Sequence, residues 1–191
     1  MIIGVDEVGR GCLAGPVVAG AVVLKRAIPG LKDSKKLTRT QREAFDVVIR
    51  KRALAVGLGW VAPDELDAVG LTEAVRRAMQ RAVVEVMAQN PACDEIIIDG
   101  NYNFLKELTG VPPIRCIIKA DDTVPAVSAA SIVAKVARDN YMRSIAKEYP
   151  GYGFEAHVGY ATLAHRLALE TLGTCALHRQ SFAPIRAILS V

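Results

Sequence analysis

The chain has 191 residues, enough for one domain with its own core and no need of disulfide staples. Hydrophobic residues make up 51% and charged residues 23%, which excludes a disordered or collagen-like polypeptide. Its 24 Lys and Arg against 20 Asp and Glu leave a formal charge of +4, which permits a nucleic-acid partner without requiring one.

In chain order, Met1 to Val5 is short, apolar and β-branched and reads as a buried strand, with Asp6 and Glu7 following it. A glycine-rich turn, Gly9 to Pro16, leads to a second apolar strand, Val17 to Leu24. Thr38-Arg39-Thr40-Gln41 resembles a capping box and opens a helix that runs to about Arg52. Ala53 to Val61 alternates loosely and reads as a third strand.

Leu71 to Met87 has apolar residues at i, i+3, i+4 and i+7, with Arg76, Arg77, Gln80, Arg81 and Glu85 on the other face, which predicts an amphipathic helix. Ile96-Ile97-Ile98 is a buried strand ending at Asp99-Gly100, and Ile114 to Ile118 is another. Pro125 suits the start of a helix reaching about Ala146. A last helix is predicted over roughly Thr162 to Leu172, with Gly173 as its stop.

Strands alternating with helices after an opening run of strands predict a layered α/β fold with a mixed central sheet flanked by helices. Pro150-Gly151-Tyr152-Gly153 is the one plausible boundary. It divides a main body, 1–149, from a small C-terminal helical extension, 150–191, although the whole can count as one domain.

The longest apolar run, Ala14 to Leu24, holds Gly15, Pro16 and Gly20 and is far short of the ~20 residues of a membrane span, so no membrane association is expected. The N-terminus lacks the basic start of a signal peptide. Cys12, Cys93, Cys116 and Cys175 form no C-x-x-C pair, so free thiols and a cytoplasmic location are expected.

The acids at strand ends carry the chemical interest. Asp6, Glu7, Asp99, Asp121 and Asp122 each follow an apolar strand, and strand ends of such sheets converge on one edge where ligands bind. Two readings stand on the residues alone: ordinary strand-end acids, or crowded hard-oxygen ligands for two Mg²⁺ or Mn²⁺ ions of the kind that flank a phosphodiester. Gly9-Arg10-Gly11 can turn backbone N–H groups toward an anion, or be a plain tight turn. The basic residues Lys35, Lys36, Arg39, Arg42 and Arg50 to Arg52 matter only if they border the acids.

Taken together, these residues resemble the bacterial type 2 ribonucleases H (ribonuclease HII) over nearly the whole chain. The resemblance rests on an ordered series: Asp6-Glu7-Val8-Gly9-Arg10-Gly11, Leu13 to Val17, Asp33-Ser34-Lys35-Lys36-Leu37, Ile97-Ile98-Asp99-Gly100, the block Val124 to Asp139, Gly159-Tyr160 with Thr162 and His165, and His178-Arg179 with Ser181-Phe182.

It implies a ribonuclease H-like three-layer fold and an endonuclease with two divalent ions during catalysis. The substrates implied are RNA–DNA hybrids and duplex DNA holding single ribonucleotides, with cleavage on the 5′ side leaving 3′-hydroxyl and 5′-phosphate ends. That activity implies a part in ribonucleotide excision repair and DNA replication. It also implies Asp6, Glu7, Asp99 and Asp121 as metal ligands and catalytic residues. Asp122 is an adjacent spare.

By the same resemblance, Gly9, Arg10 and Gly11 read the ribose 2′-OH, Tyr160 stacks on the sugar at the junction, and Lys35 and Lys36 contact phosphates. Ser131 and Lys135 are left as structural. Cys12, Ala120, Gly70, Val158 and Gln180 depart from the family's usual Pro, Gly, Asn, Lys and Arg, so weaker and less salt-dependent binding is expected, with the chemistry kept.

Other readings are a relative of type 3, another metal nuclease of the same fold, or a hybrid-binding module without catalysis. The chain starts five residues before Asp6, so the extra N-terminal domain of type 3 is not expected. All four carboxylates are present, which disfavours the inactive module. A monomer is the expected state.

Overall fold

The structure, a computed structural model, describes residues 1–190. Its centre is a five-stranded sheet in the order β3-β2-β1-β4-β5. The strands are β1 (Ile2–Val8), β2 (Val17–Leu24), β3 (Ala53–Val61), β4 (Glu95–Asp99) and β5 (Ile114–Ile117). β1 to β3 form an antiparallel meander, while β4 and β5 run parallel to β1. The mixed sheet expected from the sequence is therefore present. So is the capping box of α1 (Arg39–Arg52), where Thr38 and Gln41 each accept from the other's backbone N–H.

Side-chain parity divides the core in two. On one face, α3 (Leu71–Ala88) buries Ala74, Val75, Ala78, Met79, Ala82, Val83 and Val86 against Ile3, Val5, Ala19, Ala21, Ile96 and Ile98. Each fully buried Val or Met contributes roughly 1.5–3 kcal/mol. On the other face, α5 (Pro125–Ile145) lies across β1 and β2, with α1 beside it.

Both long helices come very close to the strands. A Cβ on Gly59 would stand 1.8 Å from the Ala78 carbonyl oxygen, and one on Gly4 would stand 2.2 Å from the Ala126 carbonyl carbon. Only hydrogen fits at either place.

Several elements differ from the expectation. β1 continues through Val8, because Asp6, Glu7 and Val8 pair with Gly20, Ala19 and Val18 of β2. Asp6 and Glu7 thus lie inside the strand, and their side chains leave opposite faces of the sheet. A short helix α2 (Pro63–Val69) precedes α3, with Pro63 in its first turn and Gly70 between the two at φ +81°. Gly70 is thus a backbone hinge point, with open space where its Cβ would be.

The C-terminal part holds three helices, α6 (Phe154–His157), α7 (Leu163–Leu172) and α8 (Ala183–Leu189), which follow the single-turn helix α4 (Ala120–Thr123) and α5 in the chain. The reading that the helix ending near Leu172 is the last is corrected by α8. Pro184 starts α8, and Ile185 and Ile188 pack on Leu13 and Leu169. A bridge between Ala14 and His178 ties this region to the turn after β1. Among the described residues, no helix is long and apolar enough to cross a membrane.

Candidate active site

The parallel pairing of β1 and β4 ends at Val5 with Ile98, so Asp6 and Asp99 stand one step further along, side by side. Asp6 has the parity of Gly4, which faces α5. Asp99 has the parity of Ile97, which packs on Ala120 and Val127. Both aspartates therefore face the same side. Asp121, in α4, is carried to that side by a reversal in which Lys119 takes a left-handed conformation (φ +60°) and Asp99 Oδ1 accepts the Ala120 N–H at 2.8 Å.

Asp6 is buried, and burial together with the charges of Glu7 and Asp99 holds its carboxyl well above the ordinary carboxylate range. The Glu7 N–H, 2.8 Å from Oδ1, opposes that shift. Asp121 is also buried and is raised by burial and then by Asp99 and Asp33. Glu7 is raised by burial against the opposing pull of Arg10, whose Nη1 lies 3.1 Å from Oε1. Crowded carboxyl groups kept from water are costly to ionise, and a cation is the ordinary relief.

Hard oxygen donors without His or Cys suit Mg²⁺ or Mn²⁺. As the side chains stand, no three acidic, His or Cys groups among the described residues close into a cage. Glu7 pairs with Arg10 in the turn after β1, and the Lys35 ammonium stands 3.6 Å from Asp121 Oδ2.

The loop before α1 supplies the cations. Asp33 caps a 3-10 turn over Ser34–Lys36 by accepting the Lys35 N–H. Ser131 Oγ donates to Ser34 Oγ at 2.7 Å and fixes this turn against α5. Lys36 Nζ lies 2.6 Å from Asp122 Oδ1, so Asp122 is turned toward the loop. Both lysines are therefore paired with acids. Arg39 and Arg50 pair with Glu43 and Asp46 along α1.

The Gly9-Arg10-Gly11 turn is braced from beneath by two buried guanidinium groups. Gly9 has φ +91°, and a Cβ there would lie 2.8 Å from the Pro16 carbonyl oxygen and 2.5 Å from Arg138 Nε. Arg138 donates to the carbonyls of Pro16, Val158 and Ala14, and Arg179 to those of Gly15 and Arg10. Neither has a carboxylate partner among the described residues, and burial pulls the Arg179 guanidinium down to about 10.

Tyr160 lies beside this brace, 37% exposed. Lys135 Nζ stands 4.9 Å from its ring centre and the Arg138 guanidinium 5.9 Å. Burial and then Cys12 push its hydroxyl up to about 12. Val158 holds a left-handed backbone (φ +46°), rare for a β-branched residue, while its carbonyl accepts from Arg138.

The structure thus gathers Asp6, Asp99 and Asp121, sets Glu7 at their edge, and connects Gly9 to Tyr160 through Arg138. Ser131 and Lys135, read from the sequence as structural, both reach this region. Their spacing of four on one helix face was the available signal. Arg138, Arg179 and Asp33 gave no separate signal, because a buried charge looks like any other in a sequence.

Comparison with known proteins adds an independent finding. The sequence profile of the family described as ribonuclease HII matches residues 3–185. The ribonuclease HII of Nitrosococcus oceani is 46% identical over 190 residues, covering 98% of this chain and 91% of its own. Among solved structures, ribonuclease H2 from Pyrococcus horikoshii superposes with a TM-score of 0.84 at 26% identity, covering 99% of this chain and 97% of its own. The RNase HII in a complex with PCNA from Archaeoglobus fulgidus gives a TM-score of 0.79 at 27% identity, with 95% of each chain covered.

Proposed function

The chain belongs to the ribonuclease HII family, and we infer from that membership that it is an endoribonuclease acting on RNA–DNA hybrids. The finer reading is that it also nicks duplex DNA on the 5′ side of a single embedded ribonucleotide, leaving a 3′-hydroxyl and a 5′-phosphate. One observation supports its metal-dependent chemistry: three aspartates from β1, β4 and α4 share one face of the sheet edge, where burial and mutual repulsion raise the carboxyl groups of Asp6 and Asp121.

Asp6, Asp99 and Asp121, with Glu7, are the residues that would hold Mg²⁺ or Mn²⁺. Two such ions supply activation of the attacking water and stabilisation of the leaving oxygen. The chain's own groups do the rest. The Gly9 to Gly11 backbone, rigid on its two buried arginines, reads the 2′-OH, which is the feature that separates RNA from DNA. Tyr160 presents its ring to the sugar. Lys35 balances the charge of the scissile phosphate against Asp121, and Lys36 is placed to contact a neighbouring phosphate.

The test is cleavage of a labelled RNA strand in an RNA–DNA hybrid, beside an all-DNA duplex, with Mg²⁺, with Mn²⁺ and with a chelator. Metal-dependent cutting of the hybrid alone, lost in Asp6→Asn, is the expected result. Tight hybrid binding with no cutting under any metal would favour a binding module instead.

A further inference from the structure

Three histidines, His157, His165 and His178, are the only ones in the chain, and all three rings are buried together behind Tyr160. Their proton positions follow from their partners. The Tyr160 carbonyl can only accept, so His165 Nδ1, 2.9 Å away, carries a proton. In a neutral ring, His165 Nε2 is then an acceptor. It lies 3.0 Å from His178 Nε2, which must donate.

His178 Nδ1 is left as an acceptor, and the Cys175 N–H stands 2.9 Å from it. The Cys175 carbonyl takes the His178 backbone N–H instead. His157 completes the group: its Nε2–H donates to the Tyr152 carbonyl at 2.7 Å, and its Nδ1 accepts the Gly159 N–H at 3.2 Å. Its ring stacks on His165 at 4.3 Å, and its carbonyl accepts the Tyr160 N–H at 3.0 Å. Every ring nitrogen has one partner of the right kind.

We infer that His165, aligned by His178 and stacked on His157, is a positioning residue for Tyr160, and that the three rings act as one neutral relay fixing the Gly159–Tyr160 backbone. The Tyr160 carbonyl accepts from the His165 ring and from the Thr162 N–H, and the Tyr160 N–H donates to the main-chain carbonyl of His157. The facing groups are Phe154, Tyr152 and Cys175, with the Arg138 guanidinium bonded to the nearby Val158 carbonyl. Among the described residues no carboxylate pairs with the rings, so nothing there favours an imidazolium. A second proton at the His165–His178 contact would set two donors against each other and break the link. The inference rests on the reading of Tyr160 as the residue that meets the substrate.

The test joins spectroscopy and kinetics. In ¹⁵N-histidine spectra of the whole protein at neutral pH, His165 is expected to be neutral with its proton on Nδ1, and His157 and His178 neutral with theirs on Nε2. On a duplex holding one ribonucleotide, His165→Ala is expected to lower kcat/KM by roughly tenfold. Tyr160→Ala should lower it by more, and the double variant no further than Tyr160→Ala alone. His165→Asn, whose amide can donate to the same carbonyl, should restore most of the loss.

A charged or differently protonated His165, or losses that multiply in the double variant, would overturn the inference while leaving the role of Tyr160 intact. Unchanged cleavage by Tyr160→Ala would overturn both. If His165→Ala does not fold, the spectrum of the unaltered protein and the His165→Asn kinetics still decide.

Discussion

The Lys35 ammonium lies 3.6 Å from Asp121 Oδ2 and 3.9 Å from Asp33 Oδ1, so the loop before α1 reaches the carboxylate centre and supplies it with a positive charge. The Ser34–Ser131 hydrogen bond holds that loop in place. Replacing Lys35 by Met keeps the stem and removes the charge. We expect kcat/KM to fall roughly tenfold, mostly through KM, with the log–log salt slope of binding shallower by about one. Binding and turnover across a salt series measure this. An unchanged slope would mean that Lys35 serves only its acid neighbours.

Burial and two neighbouring carboxylates oppose the charge on Asp6. Asp6→Asn should therefore abolish cleavage and yet stabilise the metal-free fold by about 1–3 kcal/mol. Thermal unfolding in chelator reads this directly. A lower melting temperature for the variant would show that Asp6 is a structural acid.

The glycines of the turn after β1 separate fold from function. Gly9→Ala forces a side chain into φ +91° against the Pro16 carbonyl and Arg138, at a cost of roughly 1–3 kcal/mol. Around Gly11 a Cβ meets nothing within 4 Å. Gly11→Ala should leave stability unchanged within about 0.5 kcal/mol. It should still cut a duplex with one ribonucleotide at least tenfold more slowly, because the added methyl occupies the space proposed for the ribose. Equal activity would remove Gly11 from substrate reading.

Acid should loosen the C-terminal region through His178. Burial and the neighbouring His165 push its imidazole down to about 4, below the ordinary value near 6.5. The unfolded chain thus takes the proton first. The contribution is whole above pH 6.5, declines as pH falls, and levels off near pH 4. Urea unfolding of the unaltered chain and of His178→Asn at pH 7.5, 5.5 and 4.5 should show the difference between them shrinking with acid. Parallel curves would contradict it.

The long elements were legible because their patterns are long. The stripe of α3 and the apolar run of β2 leave little choice of structure, and three consecutive isoleucines mark the shorter β4. α2 and α8 were missed because seven residues carry too few turns for a period, although Pro63 and Pro184 marked their starts. β1 was read as too short, because its carboxylates look like a turn until Gly20 and Ala19 pair with them.

The acids could be named from motif order, but the split of Asp6 and Glu7 between faces needed the strand register. The relay of three histidines joins α6, α7 and the loop before α8, and contacts across that distance leave no local pattern.

A metal-dependent carboxylate centre coupled to ribose recognition has a definite signature in the cleavage products. Its most direct test is a duplex DNA with one ribonucleotide, labelled at its 5′ end and incubated with the chain and Mn²⁺ or Mg²⁺. One nick is expected on the 5′ side of the ribonucleotide, with a 3′-hydroxyl on the upstream fragment and a 5′-phosphate on the downstream one, and none with chelator or with Asp6→Asn. A nick on the 3′ side, a cyclic phosphate end, or cutting that persists in Asp6→Asn would contradict it.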